Sequence, residues 1–307
     1  MKQKIALPEK MASRKSQENR FLFVFIVPTL ILFIWFVIVP TVQGLYYSLF
    51  SWSGISSNMS FIGVENYQKL IKDPIAWISV VNDLKLAALR IIFTLIFSLI
   101  LSLLLTRTRV IANGFFRNVI FFPVVLSTVV ICAIWMMMYN SSFGAINKIL
   151  AVVGIKPPAA GWLGDQKIAL YAICPPEVWC SVGFYMIIFI SAIEGIPAEL
   201  YESAKIDGAN VFQQTFQIIL PLIKPQINFC VVYSAISSFG GAYQMVDLLT
   251  QGGPNNATML LGYYMKVTGF TYHKFGYSTA VAMLMLAVTA IFTVVLNKVF
   301  KSEAYEY

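Results

Sequence analysis

Apolar side chains fall in six long runs along this chain, at 21–41, 86–105, 119–139, 168–193, 226–246 and 277–299. Each is near the length of about 20 residues that a helix needs to cross a hydrocarbon layer of about 30 Å. The pattern predicts six transmembrane helices, with 21–41 as a separate first span and 86–299 as a five-helix core. The run at 21–41 is longer than a signal-peptide core and has no small-residue cleavage site after it, so it is read as retained. Between the first two spans, in segment 42–85, FIGVENYQKLIKDPIAW turns at Gly63 and places Val64, Tyr67, Leu70 and Ile71 at helical spacing before Pro74. A short interfacial helix that stops at Pro74 is expected there.

A compact polar segment interrupts the pattern between the fourth and fifth spans. Within 195–225 the chain reads YESAKIDGANVFQQTFQIILP. Pro197 suits a first helical turn, and Glu199 and Glu202 favour that helix through its dipole. Gly208 supplies the left-handed conformation that a helix end requires. Asn210 reads as an N-cap with Gln213 at capping-box spacing. In the second helix Phe212, Phe216 and Ile219 recur at i, i+4 and i+7, opposite Gln213, Gln214 and Gln217, so that face should lie against apolar surface. Pro221 should stop this helix, and Pro225 should open the fifth span. The product is an elbow of two short helices, which is either a plain connector or a docking point for a soluble partner.

Composition settles the solvent and charge the orientation. Of 307 residues 58% are hydrophobic and 12% charged, against about 25% charged in a soluble domain. Mean hydropathy is +0.74, and an all-α integral membrane protein follows. Lys2, Lys4, Lys10, Arg14, Lys15 and Arg20 crowd the tail at 1–20. Arg107, Arg109 and Arg117 lie between the second and third spans, and Lys298 and Lys301 border the tail at 300–307. Positive charge is retained on the cytoplasmic side, so both termini and the elbow are expected there, with 42–85 outside. The net charge of +8 is dispersed, without a basic patch interleaved with aromatics, which excludes nucleic acid as a partner and leaves the lipid bilayer. Cys132, Cys174, Cys180 and Cys230 match neither a disulfide framework nor a metal site. No phosphate-binding loop, zinc-protease motif or nucleophile elbow is found, and His273 is the one histidine. Catalytic and metal sites are therefore expected to be absent.

Glu202-Ser203-Ala204, Asp207-Gly208-Ala209, and Ile218, Leu220 and Pro221 together resemble the cytoplasmic EAA loop of permease subunits of binding-protein-dependent ABC importers. Ser203 replaces the usual alanine and keeps the side chain small. FIGVENYQKL, GFFRNVIFFPVVLSTVV, FGAINKIL and LLTQGGPNNAT resemble stretches of the carbohydrate-uptake subgroup, so the likeness covers most of 61–299. The resemblance implies the type I importer permease fold and a place in a bacterial or archaeal cytoplasmic membrane. It implies three partners: a second, homologous permease subunit, a cytoplasmic ATPase dimer and an extracytoplasmic solute-binding protein. ATP and Mg²⁺ would be used by the ATPase, with no cofactor on this chain. In the elbow, Glu202 would meet the ATPase cleft, Ala204 and Ala209 allow close approach, and Gly208 hold the bend. Phe212, Phe216 and Pro221 would tie the elbow to the feet of the spans.

The cargo implied is a mono-, di- or oligosaccharide, a polyol or a glycerol phosphate. Sugars are held by aromatic faces with a few amides or hydroxyls. Trp135, Trp179, Tyr185, Phe239, Tyr243 and Gln244 are inward-facing candidates, with packing as the alternative role. Glu177, after Pro175-Pro176, lies either at the outer rim of the fourth span or deep in it, where it would mark the pathway. Arg90 reads as snorkelling outward, and Asp247 as a boundary residue. A permease for a non-sugar solute is one alternative. An ion-coupled transporter using Glu177 and Asp247 is another, and it leaves the elbow without a role.

Overall fold

The computed structural model describes residues 9–56, 58–107 and 112–300, with side chains from Phe21 onward. Lys2, Lys4, Arg109, Lys301 and the side chains of Lys10, Arg14, Lys15 and Arg20 lie outside the described residues. The chain is helical nearly throughout. Among the described residues four helices are long and apolar enough to cross a membrane, and six spans result when each of two bent pairs counts as one.

The first span is α1 (Glu9–Phe33), a π-helical turn at Ile34–Ile38, and α2 (Val39–Tyr47). Pro40 follows the π turn. Its ring would clash with the carbonyl four residues back and it has no N–H to donate, and the widened turn absorbs both defects. The stretch Phe21–Tyr47 has no buried residue in its apolar window. Only its α2 end meets another span, where Gly44 lies against Met283. Next comes a two-stranded hairpin of β1 (Phe50–Ser51) and β2 (Ser60–Phe61), then α3 (Glu65–Lys72).

The interfacial helix forms where expected, but Val64 and Ile71 are exposed, and Tyr67 and Leu70 carry its packing. Pro74 both ends that segment and begins the next helix, α4 (Pro74–Arg107). Proline is tolerated there because a first-turn N–H has no helical partner, and the Asp73 carboxylate accepts from the Ile75 N–H at 2.9 Å. The 34 residues of α4 span about 51 Å at 1.5 Å per residue, longer than the hydrocarbon layer. The second span was placed at 86–105, and the helix starts well before it.

The run expected as the third span is sharply bent. Helix α5 (Asn113–Phe121) passes through a 3₁₀ turn at Phe122–Val125 and meets α6 (Thr128–Met138) at 103°. Pro123 interrupts the helical ladder, Leu126 is extended, and the Ser127 hydroxyl caps α6 by accepting from Val130 N. Helix α7 (Ala145–Val152) precedes α8 (Ala169–Glu194), which stays helical through Pro175 and Pro176. At Gly183 an added Cβ would lie 2.6 Å from the Ile120 carbonyl oxygen, so α5 and α8 meet through bare backbone.

Helices α9 (Ala198–Ile206), α10 (Val211–Gln214) and α11 (Leu220–Leu222) form the elbow. Helix α12 (Lys224–Leu249), α13 (Leu261–Lys266) and α14 (Phe275–Phe300) complete the chain. Pro225 falls in the first turn of α12 as expected. Residues of α4, α8, α12 and α13 fill the larger core. A second core near the elbow gathers Tyr185, Phe189, Ile193, Ile219, Ile223 and Cys230.

One guanidinium joins three of these helices. Arg90 of α4 faces the Glu177 carboxylate of α8 at 3.3 Å and donates to the Ser181 and Ser238 hydroxyls, each at 3.2 Å. Both charged residues are buried, at 8% and 4% exposure. Glu177 thus lies two turns into α8 and is enclosed by the bundle. Arg90 does not snorkel outward, since its partners all lie inside the bundle. A charge in such a place persists by pairing.

Removing one member strands the other charge, which costs about 3–5 kcal/mol, whereas replacing both with apolar residues is near neutral. Arg90→Met should lower the melting temperature of the purified protein sharply, and Arg90→Met with Glu177→Met should recover most of it. Equal losses in the single and double variants would contradict the pairing.

Candidate functional site

The elbow begins where α8 ends at Gly195. Pro197 is extended (φ −54°, ψ 135°) and stands one position before α9. Glu199 lies in the first turn. At the far end Ala209 N donates to Ala204 O at 2.8 Å and Gly208 N to Lys205 O at 3.1 Å, while Gly208 has φ +81°. These are the two bonds of a Schellman motif, and its left-handed position is the one glycine fills without strain.

Helix α10 starts at once. Asn210 N donates to Gln213 Oε1 at 2.8 Å, and Gln213 N to Asn210 Oδ1 at 2.9 Å, so both halves of the capping box are closed. Two successive caps on one glycine leave the bend little freedom.

The second arm differs from expectation in register. A π turn at Thr215–Ile219 precedes Pro221, as another precedes Pro40, and the helical run ends one residue beyond Pro221 at Leu222. The wider turn brings residues five apart onto one side. Gln214 and Ile219 consequently both point inward, at 6% and 0% exposure. Phe212 and Phe216 stay outside, at 74% and 57%, with ring centroids 5.2 Å apart. They do not tie the elbow to this chain, a correction that follows from the extra residue in the turn. Ile219 and Ile223 do so instead, through the second core.

The outer surface of the elbow carries Glu202, Ser203, Asp207 and Gly208, all exposed, with Ala204, Ala209, Ile218 and Leu220 half-buried and Pro221 exposed. Ile206 and Val211 join Phe212 in an exposed apolar knuckle around the bend. Sequence reasoning missed Ile206 and Val211. Their signal was the placement of two large apolar residues directly beside a predicted glycine bend.

The pathway candidates separate into three groups. Tyr243 and Gln244 line a groove of about 790 Å³ with Ser127, Thr128, Asp247 and Lys266. There Thr128 Oγ1 donates to Gln244 Oε1 at 3.3 Å. Asp247 accepts from Lys266 Nζ, a contact that holds the ammonium above its usual pKa. Trp135 and Trp179 meet edge to face at 6.2 Å and line a separate, mostly apolar hollow of about 760 Å³. Tyr185, Phe239 and Glu177 are buried among the helices.

Residues 98–302 match the family described as binding-protein-dependent transport system inner membrane component. The diacetylchitobiose uptake system permease protein NgcF of Streptomyces coelicolor is 31% identical over 281 residues, 89% of this chain and 80% of that protein. The multiple sugar-binding transport system permease protein MsmF of Streptococcus mutans is 30% identical over 291 residues, 95% of this chain and 99% of that protein. Among solved structures, a bacterial alginate ABC transporter in complex with a periplasmic protein bound to alginate pentasaccharide contains a chain with the same fold. The TM-score is 0.77 at 20% identity, over 94% of this chain and 98% of that one.

Replacing Asn210 with alanine removes one half of the capping box. The loss of about 1 kcal/mol should raise amide exchange at Gln213 and its neighbours about fivefold and leave the exchange of α8 and α12 unchanged. Unaltered exchange at Gln213 would show that the cap does not hold the bend.

Proposed function

Because this chain belongs to the family of binding-protein-dependent transport system inner membrane components, we propose that it is the permease subunit of an ATP-driven importer of carbohydrate, working in a bacterial or archaeal cytoplasmic membrane. The observation that carries this reading is the knuckle of Ile206, Val211 and Phe212, exposed on a doubly capped bend whose second arm is anchored by Ile219 and Ile223. Apolar surface displayed on a rigid support is the mark of a docking site. The partner is a cytoplasmic ATPase dimer, which binds ATP and Mg²⁺ and does the chemistry. Glu202 and Asp207 offer polar contacts around the apolar centre, and Ala204 and Ala209 permit close approach.

Closure of the ATPase pair biases the permease only through contacts that differ between its open and closed states. A push on the knuckle reaches the feet of α8 and α12 through Ile219 and Ile223, since close-packed side chains transmit displacement instead of absorbing it. The lysines and arginines of the two tails support a cytoplasmic placement for both termini and the elbow.

The groove at Tyr243 and Gln244 supplies an aromatic face, an amide and the Thr128 hydroxyl, a combination suited to sugar hydroxyls. It is open on one side, and a second, homologous permease subunit closes it. The unburied first span supports a large partner surface as well. A solute-binding protein delivers the cargo on the opposite face. The names of the two relatives, for diacetylchitobiose and multiple sugars, support a carbohydrate over an amino acid.

Uptake of a labelled panel of mono-, di- and oligosaccharides, polyols, glycerol phosphate and amino acids tests the reading in cells lacking only this chain. Loss of ATP-dependent uptake of one carbohydrate class, restored by the gene, is expected. Loss confined to an amino acid, or uptake that survives ATP depletion, would overturn it.

A further inference from the structure

The elbow is joined covalently to α8 and α12, yet α4 reaches it as well. Arg107, the last residue of α4, sits inside the elbow and touches both of its arms. Its Nη2 donates to Gln214 Oε1 of the second arm at 2.5 Å. Its guanidinium carbon stands 4.1 Å from the centre of the Tyr201 ring on the first arm. Gln214 is itself fixed, since its Nε2 donates to Ala209 O at the bend, at 3.0 Å. Tyr201 reaches back to Ile193 O at the foot of α8, at 3.4 Å. Nε of Arg107 is buried and has no hydrogen-bond partner among the described residues.

We propose that Arg107 is a positioning residue that couples movement of the elbow to α4, by clasping Tyr201 and Gln214 with one planar cation. This rests on the reading of the elbow as the ATPase docking point. The chemistry favours arginine. A guanidinium can stack on an aromatic face and donate in its own plane at the same time, whereas an ammonium is a point charge that serves one partner or the other. Without the clasp, the elbow can still move with α8 and α12, and α4 loses its contacts with Gln214 and Tyr201. With the clasp, a displacement of the bend at Ala209 passes through Gln214 to the end of α4. Because α4 also carries Arg90, the same helix is tied to α8 and α12 at both depths.

The test uses the complex assembled with its ATPase, in a background with Cys180→Ser. One arm crosslinks Ala204→Cys to the ATPase, and the other reads the distance between spin labels at Ile100→Cys on α4 and Val295→Cys on α14, with and without a non-hydrolysable ATP analogue and Mg²⁺. Unmodified Arg107 should give both the crosslink and a nucleotide-dependent shift in distance. Arg107→Ala should keep the crosslink and lose the shift, and Arg107→Lys should keep part of it. A full shift in Arg107→Ala overturns the proposal, as does a parent complex that crosslinks and shows no shift. No crosslink in the parent overturns the docking reading itself, and the clasp with it. Where Arg107→Ala fails to assemble, Tyr201→Leu is measured, with loss of the shift expected and a full shift overturning the proposal.

Discussion

In hydrocarbon a backbone N–H or carbonyl has no water to turn to, so every break in a span must close its own hydrogen bonds. This chain breaks its helices repeatedly, and each break is closed locally. Pro40 and Pro221 are each preceded by a π turn, which makes room for the ring and keeps the helix continuous. At Pro123 the solution is a 3₁₀ turn followed by the Ser127 cap, and the result is a bend of 103°. Outside the spans, the bend at Gly208 closes its bonds in the same local way, with a Schellman motif followed by a capping box. Two of these bends shape the surfaces for which a function is proposed. The turn at Leu126–Ser127 forms one wall of the groove at Tyr243 and Gln244, and the turn at Gly208 forms the knuckle.

The same scarcity of water governs the polar side chains. Arg90, Glu177, Ser181 and Ser238 contact one another inside the bundle. Asn82 and Asp83 bind the backbone of the loop before α13, the first through carbonyls at Ala257 and Met259 and the second through the Leu261 N–H. Polar groups left with spare capacity, such as Tyr243, Gln244 and Ser127, are those that line an open groove.

Much of this was legible in the sequence where a local rule decides the outcome. The glycine bend, the Asn210–Gln213 box and the start of α12 at Pro225 each depend on a few adjacent residues, and each forms as read. Outcomes set by an added or missing residue in a turn were not legible. The i, i+4, i+7 spacing assumes 3.6 residues per turn, so the π turn at Thr215–Ile219 reversed the roles of Phe212, Phe216 and Gln214. The run 119–139 likewise looked straight because hydropathy is blind to direction, although Pro123 and Ser127 were there to mark the break. The surroundings of Glu177 were not legible, because prolines usually end helices and α8 carries two of them without stopping. Its partner Arg90 lies 87 positions away, beyond any local pattern.

An added Cβ at Gly208 meets nothing within 4 Å, so a side chain there disturbs this chain only through its left-handed backbone, at about 1–2 kcal/mol, or through whatever docks on it. The most direct measurement is therefore carbohydrate uptake per ATP hydrolysed by the reconstituted complex carrying Gly208→Asp. The account predicts a variant that inserts and is stable, yet imports nothing when the ATPase is supplied with ATP. Wild-type uptake by that stably inserted variant would contradict the assignment of the elbow as the point where ATP energy enters.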